Sequence, residues 1–355
     1  MNTSTIGRES LRAPSNLIGW LRRAKRKVSN VIWPILDDSL RCLLIVFVLK
    51  PASDFLSRRR AQSVARWCGA VMLHMPTSRQ AARQTMRVAF GMNDADAAKS
   101  AQEYLAQPFY TFVAFRRVLR HREHTDGWVI EERNNHGIAQ LRETGRSFIV
   151  ATGHFRRESH LVLYLTRVCP GKSAAIHLPL TAARLRAHTV LERIQYGQLL
   201  RTARSVRPDH IFLWVGDAVR KILKNLAQPN CQVVISVDAF WRATGSSTYT
   251  RPFAGMRART FSTGTAALAR LAQRPIVPCV GYVDENDAII LEWGDVIEPP
   301  SRDDEAADIR TTDTILDFLE QAIGRRPTQY VIYIGEERRW NPVQKAWENL
   351  IEQVQ

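Results

Sequence analysis

A histidine followed by an acidic residue gives this sequence its most evident chemical potential. His154 and Glu158 stand four residues apart in the stretch SFIVATGHFRRESH. If a helix begins near Phe155, both side chains lie on one helix face, where a carboxylate can orient an imidazole and stabilise its protonated form. Such a pair has the outline of a general base, which removes a proton from a substrate. A structural strand end followed by a solvated helix start would have the same pattern.

The elements around His154 must hold it rigidly for this chemistry. Ser147–Thr152 is a short apolar run typical of a buried strand, and Gly153 leaves the backbone open beside the histidine. Beyond it, predicted strands and helices alternate, which favours an α/β fold with a mostly parallel central sheet flanked by helices. Sites in such folds gather at the carboxyl ends of the strands. His154 and Asp238 each follow a predicted strand, so we expect both at that edge.

The apolar periodicity also gives approximate bounds for these elements. The predicted strands are 147–152, 174–177, 211–215, 232–237, 276–282 and 288–293. The predicted helices are 158–168, 182–195, 217–226, 264–273 and 308–323, after a largely helical region from 61 to about 122.

Polar residues in and after the predicted strand 232–237 are candidates for contacting a substrate. Asp238 either contacts substrate or only caps the loop after its strand. Arg251 and Arg257 flank Phe253 and carry the charge needed to bind a phosphate, although exposed arginines on a basic protein need no such role.

The chain is strongly basic, and half of its net charge lies near the N-terminus. It has 355 residues, a formal net charge of +16 and a pI of about 10.2. Residues 1–60 hold twelve Lys or Arg against four Asp or Glu, a surplus of eight. Within them the segment LIGWLRRAKRKV, residues 17–28, sets apolar and aromatic residues beside a basic cluster, and an apolar run follows at 42–49. This combination predicts association with an anionic membrane surface, with a plain basic tail as the alternative.

Other classes of protein fit the sequence less well. Nucleic acid would suit the charge, but no recognition motif is present, so no nucleic-acid partner is expected. Neither HExxH nor clustered His and Cys spacing occurs, and neither does GxGxxG or a P-loop, so we expect no metal and no nucleotide cofactor. The five cysteines are widely spaced without a CxxC pattern and predict buried thiols in a reducing compartment.

The apolar segments also bear on how the chain meets a membrane. No segment reaches the roughly 18 to 20 continuous apolar residues of a membrane-spanning helix. The longest apolar stretch begins too late for a cleavable signal peptide. We therefore expect the chain to stay in the cytoplasm and to touch a membrane from there.

Four stretches occur in an order and spacing that resemble a known family. They are GWVIEERNNHGIAQLRETGRSFIVATGHF, VVISVDAFWRATGSSTYTRPFAG, TGTAALARLAQRPIVPCVGY and RRPTQYVIYIGEERRW. The second contains a strand ending in Asp238, then Pro252, Phe253 and Gly255 after a polar loop. Together they are similar to the bacterial late acyltransferases of lipid A synthesis, the lauroyl/myristoyl type within the lysophospholipid acyltransferase superfamily, and they span about 126–342.

The resemblance implies an enzyme, an acyltransferase that moves a fatty acyl chain from an acyl carrier protein thioester to a hydroxyl of a lipid A precursor or a related glycolipid. His154 would be the base and Glu158 the acid that orients it. The resemblance also implies a membrane-associating region at 1–60 and an acyltransferase-like α/β domain at 61–355, with a helical lead-in to about 125. The location it implies is the cytoplasmic face of the cell inner membrane, peripheral or monotopic.

Two departures from the family pattern mark the chain as a divergent member. The family acid follows the histidine after four intervening residues, where this chain has Ser159, and Glu158 comes one residue early. An arginine that usually follows the next strand is absent from AAIHLPL, so either Arg184 or Arg193 substitutes for it or the phosphate contact is lost. We retain Ser159 and Arg184 as candidate substrate contacts.

These departures leave two alternatives to the carrier-protein enzyme open. One is an acyl-CoA-dependent lysophospholipid or glycolipid acyltransferase. The other is a non-catalytic lipid-binding descendant of the family, in which the displaced acid and the missing arginine would reflect lost chemistry.

Overall fold

A seven-stranded sheet lies at the centre of the structure. The computed structural model describes residues 35–121, 130–155, 158–168, 171–177, 190–206, 211–214, 218–238, 248–284, 288–330, 338–341 and 346–349. The sheet strands are β1 (Ile130–Arg133), β2 (Phe148–Thr152), β3 (Ser173–His177), β4 (Ile211–Trp214), β5 (Gln232–Ser236), β8 (Ile276–Val283) and β9 (Ile289–Trp293).

The strand pairings confirm the predicted fold class. The order across the sheet is β1-β9-β8-β2-β5-β3-β4. Of its six pairings five are parallel, and only β8 and β9 run antiparallel. A mostly parallel sheet is stable only when helices cover both of its faces, because both faces are apolar.

Helices lie on both faces of the sheet, and the helices nearest the N-terminus form a separate group. Residues 35–43 form α1, which passes through a π-helical stretch, Leu44–Leu49, into α2 (Lys50–Phe55). The others are α3 (Arg58–Met72), α4 (Pro76–Phe90), α5 (Asp94–His121), α6 (His136–Glu143), α7 (Glu158–Val168), α8 (Val190–Val206), α9 (Ala218–Leu226), α10 (Gly264–Ala272) and α11 (Ala307–Arg325).

The two faces of β2 fill two different cores. Ile149 and Ala151 point into a cluster with apolar residues of α9, α10 and α11. Phe148 and Val150 point the other way, into a cluster with residues of α5, α6, α7 and α8. This alternation follows from the two-residue period of a strand, and all five residues of β2 are buried. The strand that leads to His154 is therefore fixed from both sides.

The N-terminal helices pack with α3 and α5 in a third apolar cluster. Leu44, Ile45 and Leu49 are buried there. The guanidinium of Arg116 on α5 donates to both carboxylate oxygens of Asp54, at 2.8 and 2.7 Å, and so ties α2 to α5. Within the part of the chain that the structure covers, no helix is long and apolar enough to span a membrane. The basic segment at 17–28 lies outside that part.

The register of β2 and β5 places His154 beside Asp238. Thr152 pairs with Ser236, and the N–H of Val237 donates to the Thr152 carbonyl at 2.9 Å. Two residues further along each parallel strand are His154 and Asp238. Both lie at the carboxyl edge of the sheet, as the strand pattern predicted.

A second β element was missed by the sequence prediction. β6 (Thr248–Phe253) and β7 (Met256–Ser262) form an antiparallel hairpin outside the main sheet, where the sequence suggested a polar loop. Ala254 and Gly255 form its turn with positive φ of 49° and 79°. A turn with positive φ at both central residues matches the twist of paired strands, which explains why a tight hairpin forms here.

Smaller differences concern the ends of elements. The helix predicted at 182–195 is observed as α8, which runs to Val206, while residues 181–189 lie outside the described ranges. β1 was not predicted as a strand, because its sequence IEER is largely polar. The last strands, β10 (Arg338–Asn341) and β11 (Ala346–Asn349), pair with each other.

The cysteines are buried to different extents. Cys68, Cys231 and Cys279 are buried free thiols, and Cys42 is partly exposed. Burial raises the pKa of Cys68 to about 12 and the pKa of Cys279 well above its ordinary value. These thiols are therefore poor nucleophiles at neutral pH. Cys169 lies outside the described ranges.

Candidate active site

His154 is held by both oxygens of one buried carboxylate. Its ring Nδ1 lies 2.6 Å from Oδ1 of Asp238, and its backbone N–H donates to Oδ2 at 2.8 Å. The Asp238 side chain is fully buried, whereas the His154 side chain is 32% exposed. This geometry fixes the imidazole at Nδ1, so a proton exchanged with a substrate would pass through Nε2.

Gly153 allows the close approach of the two residues. A Cβ at this position would lie 3.1 Å from Oδ2 of Asp238 and 3.3 Å from Cδ1 of Leu319 on α11. Any side chain here would press on the carboxylate that holds His154. The glycine before the histidine is thus explained by packing at the pair.

Asp238 is charged despite its burial. Burial alone would raise the pKa of its carboxyl group, but the charge of His154, its two hydrogen bonds and the charge of Arg259 together lower that pKa below its ordinary value. A carboxylate that is ionised and aligned on Nδ1 favours the protonated imidazole, because the two charges attract. His154 can therefore accept a proton and hold it.

A buried arginine supports Asp238 from the hairpin. Arg259 on β7 is 1% exposed, and its guanidinium lies 5.3 Å from the ring centroids of both Phe253 and Phe261. Its Nη2 donates to the backbone carbonyl of Asp238, and its Nη1 donates to the hydroxyl of Tyr330 at 2.9 Å. The guanidinium is thus fixed by hydrogen bonds at one edge and by aromatic faces around it.

Tyr330 is the fourth residue of the group formed by His154, Asp238 and Arg259. It is fully buried, pairs with Phe155 in an isolated β-bridge and has its ring 5.5 Å from that of Phe155. Burial raises the pKa of the Tyr330 hydroxyl well above its ordinary value, and the nearby Asp238 carboxylate adds to that rise. The residue before it, Gln329, donates to the Val283 carbonyl and accepts from the Val283 N–H, at 2.7 and 2.8 Å, which anchors this segment to the end of β8.

The other predicted site residues are not brought into this group by any described contact. Arg251 is bound by three carboxylates of α11, those of Asp313, Asp317 and Glu320, at 2.6 to 2.9 Å. This ion-pair network attaches the hairpin to α11. The Arg251 guanidinium is therefore paired with carboxylates of the chain itself. The positions of Glu158, Ser159 and Arg257 are known for their backbone alone, and Arg184 lies outside the described ranges.

Sequence reasoning missed the supporting role of Arg259 and Tyr330. One signal for Arg259 was present: it lies two residues before Phe261, and residues two apart share one face of a strand. A cation on an apolar strand face must be paired. That signal depends on recognising the strand β7, which the sequence analysis did not predict. For Tyr330, only its place within the RRPTQYVIYIGEERRW stretch marked it.

The arrangement is suited to acid–base chemistry at a sheet edge. A partly exposed imidazole oriented by a buried carboxylate is the arrangement of an enzyme that removes a proton from a hydroxyl or similar group. Across the described residues, no three His, Cys, Asp or Glu side chains are placed to hold a metal ion together. The site and the α/β fold thus define a candidate hydrolase or transferase.

Comparison with known proteins narrows this class. The family model for the bacterial lipid A biosynthesis acyltransferases matches residues 43–340. The chain therefore belongs to that family, as its sequence blocks predicted, and it is a lipid acyltransferase. A comparison with curated proteins gave no significant match.

One solved structure is similar over most of the chain. It is the 1-acyl-sn-glycerophosphate (LPA) acyltransferase PlsC from Thermotoga maritima, 12% identical, with a TM-score of 0.33 over 75% of this chain and 97% of that one. The family assignment does not depend on this likeness.

The lowered pKa of Asp238 leads to a prediction about stability. A carboxyl group whose pKa is lowered by folding stabilises the protein above its unfolded pKa, and that stability is lost as the pH falls through the folded pKa. We expect Asp238→Asn to unfold more easily than the wild type at pH 7, by on the order of 2 kcal/mol. The difference should persist at pH 5 and shrink below about pH 4.

Urea unfolding at a series of pH values measures this difference. The exposed Asp303 offers a matched control, and Asp303→Asn should stay close to the wild type at every pH. A difference between wild type and Asp238→Asn that is constant from pH 7 to pH 3 would contradict the assignment of a lowered pKa.

Proposed function

We propose that this acyltransferase moves a fatty acyl chain from an acyl carrier protein thioester to a hydroxyl of a lipid A precursor or a related glycolipid. His154 acts as the general base and Asp238 as the acid that orients it. The hydrogen bond between Nδ1 and Oδ1 at 2.6 Å is the observation that carries this assignment.

The proposed reaction needs one proton carrier. Because Asp238 occupies Nδ1, Nε2 takes the proton from the acceptor hydroxyl as its oxygen attacks the thioester carbonyl. The tetrahedral intermediate then collapses, the C–S bond breaks, and the imidazolium returns the proton to the thiolate. The products are the acylated lipid and the free carrier thiol. A thioester already has a good leaving group, so activation of the hydroxyl is the step that the base assists.

Asp238 is better supported than Glu158 in the orienting role. Asp238 is buried beside the imidazole and contacts both its ring and its backbone N–H. Nδ1 has a charged partner there without any contribution from α7. Glu158, which the sequence pattern favoured, starts α7 four residues later, and its side chain lies outside what the structure describes.

Replacement of each acid separates the two assignments. We expect His154→Ala to abolish acyl transfer and Asp238→Asn to lower kcat by about 10²-fold or more, because the asparagine cannot stabilise the imidazolium. Glu158→Gln should stay within about threefold of wild type. Acyl transfer is read by mass spectrometry, with purified protein, acyl carrier protein donors and extracted membrane lipids.

The same assay tests the reaction as a whole. A lipid that gains one acyl chain with wild type and not with His154→Ala supports the proposal and identifies the acceptor. If Glu158→Gln is inactive and Asp238→Asn is not, the acid assignment is wrong. If wild type transfers nothing from any thioester but still copurifies with lipid, the non-catalytic alternative replaces the enzyme.

A basic face on α4 favours an acidic protein as the donor. Arg79, Arg83 and Arg87 are all exposed and lie one helical turn apart. They line a half-open cleft of about 1000 Å³, in which Arg87 also contacts Asp94 at 3.0 Å. The three span about 12 Å, which suits carboxylates spread along a protein helix better than one small clustered anion.

The end of α4 packs on the same core as the candidate active site. α4 ends at Phe90, which packs against the core cluster containing Phe155 and Tyr330. A carrier protein bound to α4 would therefore bind a helix that is anchored to this core. Electrostatic attraction of this kind raises the rate of encounter more than it changes the chemical step.

Charge reversal on α4 tests the donor. We expect Arg79→Glu/Arg83→Glu to raise KM for acyl carrier protein about tenfold or more and to leave kcat within about twofold, because rim charges act on association. KM for acyl-CoA should change much less. The matched control is Arg201→Glu/Arg204→Glu on α8. It makes the same change of charge on exposed residues of a different helix, the one that leads into the edge strand β4.

Two results would count against the carrier protein. One is an equal KM increase in both double variants, which would reflect net charge alone. The other is acyl-CoA as the preferred donor of the wild type, which would support the acyl-CoA-dependent alternative.

Exposed apolar side chains on the first helices favour membrane association. Phe47 is 71% exposed and Phe55 is 83% exposed, and three arginines, residues 58–60, begin three residues after Phe55. Large exposed apolar residues beside basic residues suit an anionic lipid surface. We place the protein on the cytoplasmic face of the inner membrane, bound peripherally or monotopically. Other exposed apolar residues in this region are Ile35, Leu36, Leu43 and Val46.

Removal of the two phenylalanines tests this location. We expect Phe47→Ser/Phe55→Ser to weaken flotation with vesicles of phosphatidylethanolamine and phosphatidylglycerol about tenfold or more, since each phenyl ring loses its transfer into the lipid. Leu271→Ser removes a comparable exposed residue from α10 and should bind as the wild type does. Unchanged flotation of the double variant would show that this surface does not bind the membrane.

A further inference from the structure

We infer that Arg259 and Tyr330 are positioning residues that set the pH at which His154 works as a base. Arg259 does so by placing a second positive charge beside the buried Asp238 carboxylate, and Tyr330 by holding the guanidinium there. The inference rests on the proposed function, since it concerns the same histidine and aspartate. Neither residue contacts the exposed part of His154 in any described contact, so both act through Asp238.

The electrostatic problem arises from the burial of Asp238. A carboxylate without solvent is costly unless it is paired. If His154 were its only partner, the cheapest state would keep the imidazole protonated, because that forms a complete ion pair in a dry site. A histidine that is already protonated cannot accept a proton from a hydroxyl. A second cation near Asp238 removes this difficulty.

Arg259 is placed to be that second cation. It is 1% exposed, and its two described hydrogen-bonding partners are the Asp238 carbonyl and the Tyr330 hydroxyl. It therefore acts on the Asp238 carboxylate through space. The faces of Phe253 and Phe261 enclose the guanidinium and prevent it from turning toward solvent.

Tyr330 holds the guanidinium in place beside Asp238. Its hydroxyl accepts a hydrogen bond from Nη1 of Arg259 at 2.9 Å. Burial raises the pKa of Tyr330 well above its ordinary value, so the hydroxyl keeps its proton and adds no charge of its own. Gln329 fixes the preceding residue to the end of β8 at two points, which sets the position of the tyrosine.

Four groups on separate elements thus form one charge network. Of the described residues, the charged and titratable groups that act on Asp238 are His154 after β2, Arg259 on β7 and Tyr330 before the C-terminal strands. With Arg259 protonated and Asp238 ionised, the group is neutral when His154 is neutral and carries one positive charge when His154 has taken a proton. Loss of the arginine leaves a net negative charge that draws a proton onto His154.

The pH dependence of acyl transfer tests this inference. We expect Arg259→Met and Tyr330→Phe to move the acid limb of the kcat/KM profile upward by about half to one pH unit, because the carboxylate attracts a proton to His154 more strongly. Arg259→Lys keeps the charge and should bring the limb back close to that of the wild type. A residue with only a structural role would lower activity or stability without moving the limb.

Tyr249→Phe is the matched control for Tyr330→Phe. Tyr249 lies on the hairpin that carries Arg259. Its hydroxyl donates to Asp313 on α11 at 2.8 Å, away from Asp238. Its loss removes a partly buried hydroxyl of similar kind, so its acid limb should coincide with that of the wild type. Thermal unfolding of each variant shows which ones remain folded, and Tyr330→Phe is the mildest change of the set.

Titration of His154 by NMR separates this inference from the proposed function. Protein labelled with ¹⁵N-histidine gives a resonance that is assigned by its absence in His154→Gln. The pH at the midpoint of its titration should rise in Arg259→Met and Tyr330→Phe and should be unchanged in Tyr249→Phe. This readout needs no substrate, so it holds even if no acyl transfer is found. The inference is overturned if folded Arg259→Met and Tyr330→Phe keep both the titration midpoint and the acid limb of the wild type.

Discussion

The charge on Asp238 is the constraint on which the rest of the site depends. A fully buried carboxylate is tolerated only where hydrogen bonds and opposite charge replace the water it has lost. Here the replacement comes from the ring and backbone of His154 and from the charge of Arg259, whose guanidinium the Tyr330 hydroxyl holds in place. Removal of any one of them would leave part of this charge unsatisfied in a dry interior, so these residues are bound to one another energetically as well as geometrically.

The sheet brings these residues together from distant parts of the chain. β2 and β5 are parallel neighbours, and a parallel register fixes the residues that follow both strands at one edge. β7 reaches the same place from outside the sheet, because the ion pairs of Arg251 and the hydrogen bond from the Ala254 N–H to Glu320 hold its hairpin on α11. Gln329 adds the last contribution by fixing its segment to the end of β8. The scaffold is therefore rigid where the chemistry is proposed to occur.

The sequence predicted the parts of this arrangement that depend on periodicity. Apolar runs with two-residue and helical spacing located the central strands, and the rule that sites lie at carboxyl strand ends put His154 and Asp238 at one edge. It did not predict their hydrogen bonds, because the relative register of β2 and β5 depends on packing across 84 residues. The local spacing of His154 and Glu158 gave the more obvious pair, since contacts one helical turn apart can be read from sequence and contacts between strands cannot. Arg259 was missed for a related reason, because its strand has mixed polarity and its turn contains no Asn-Gly or Gly-Gly signal.

The displaced acid of this family member also has a physical explanation within the proposed mechanism. An acid on the helix after the histidine can orient the ring only if the helix starts at the right angle, and Ser159 occupies the place where the resemblance leads us to expect that acid. Asp238 makes that helical acid unnecessary. Asp238 reaches Nδ1 from the end of the neighbouring strand, and the backbone of that strand fixes its position. One imidazole nitrogen needs one carboxylate, and a second carboxylate nearby would add negative charge that holds the proton on His154 more tightly. A serine at position 159 therefore fits a proposed site whose orienting acid follows β5.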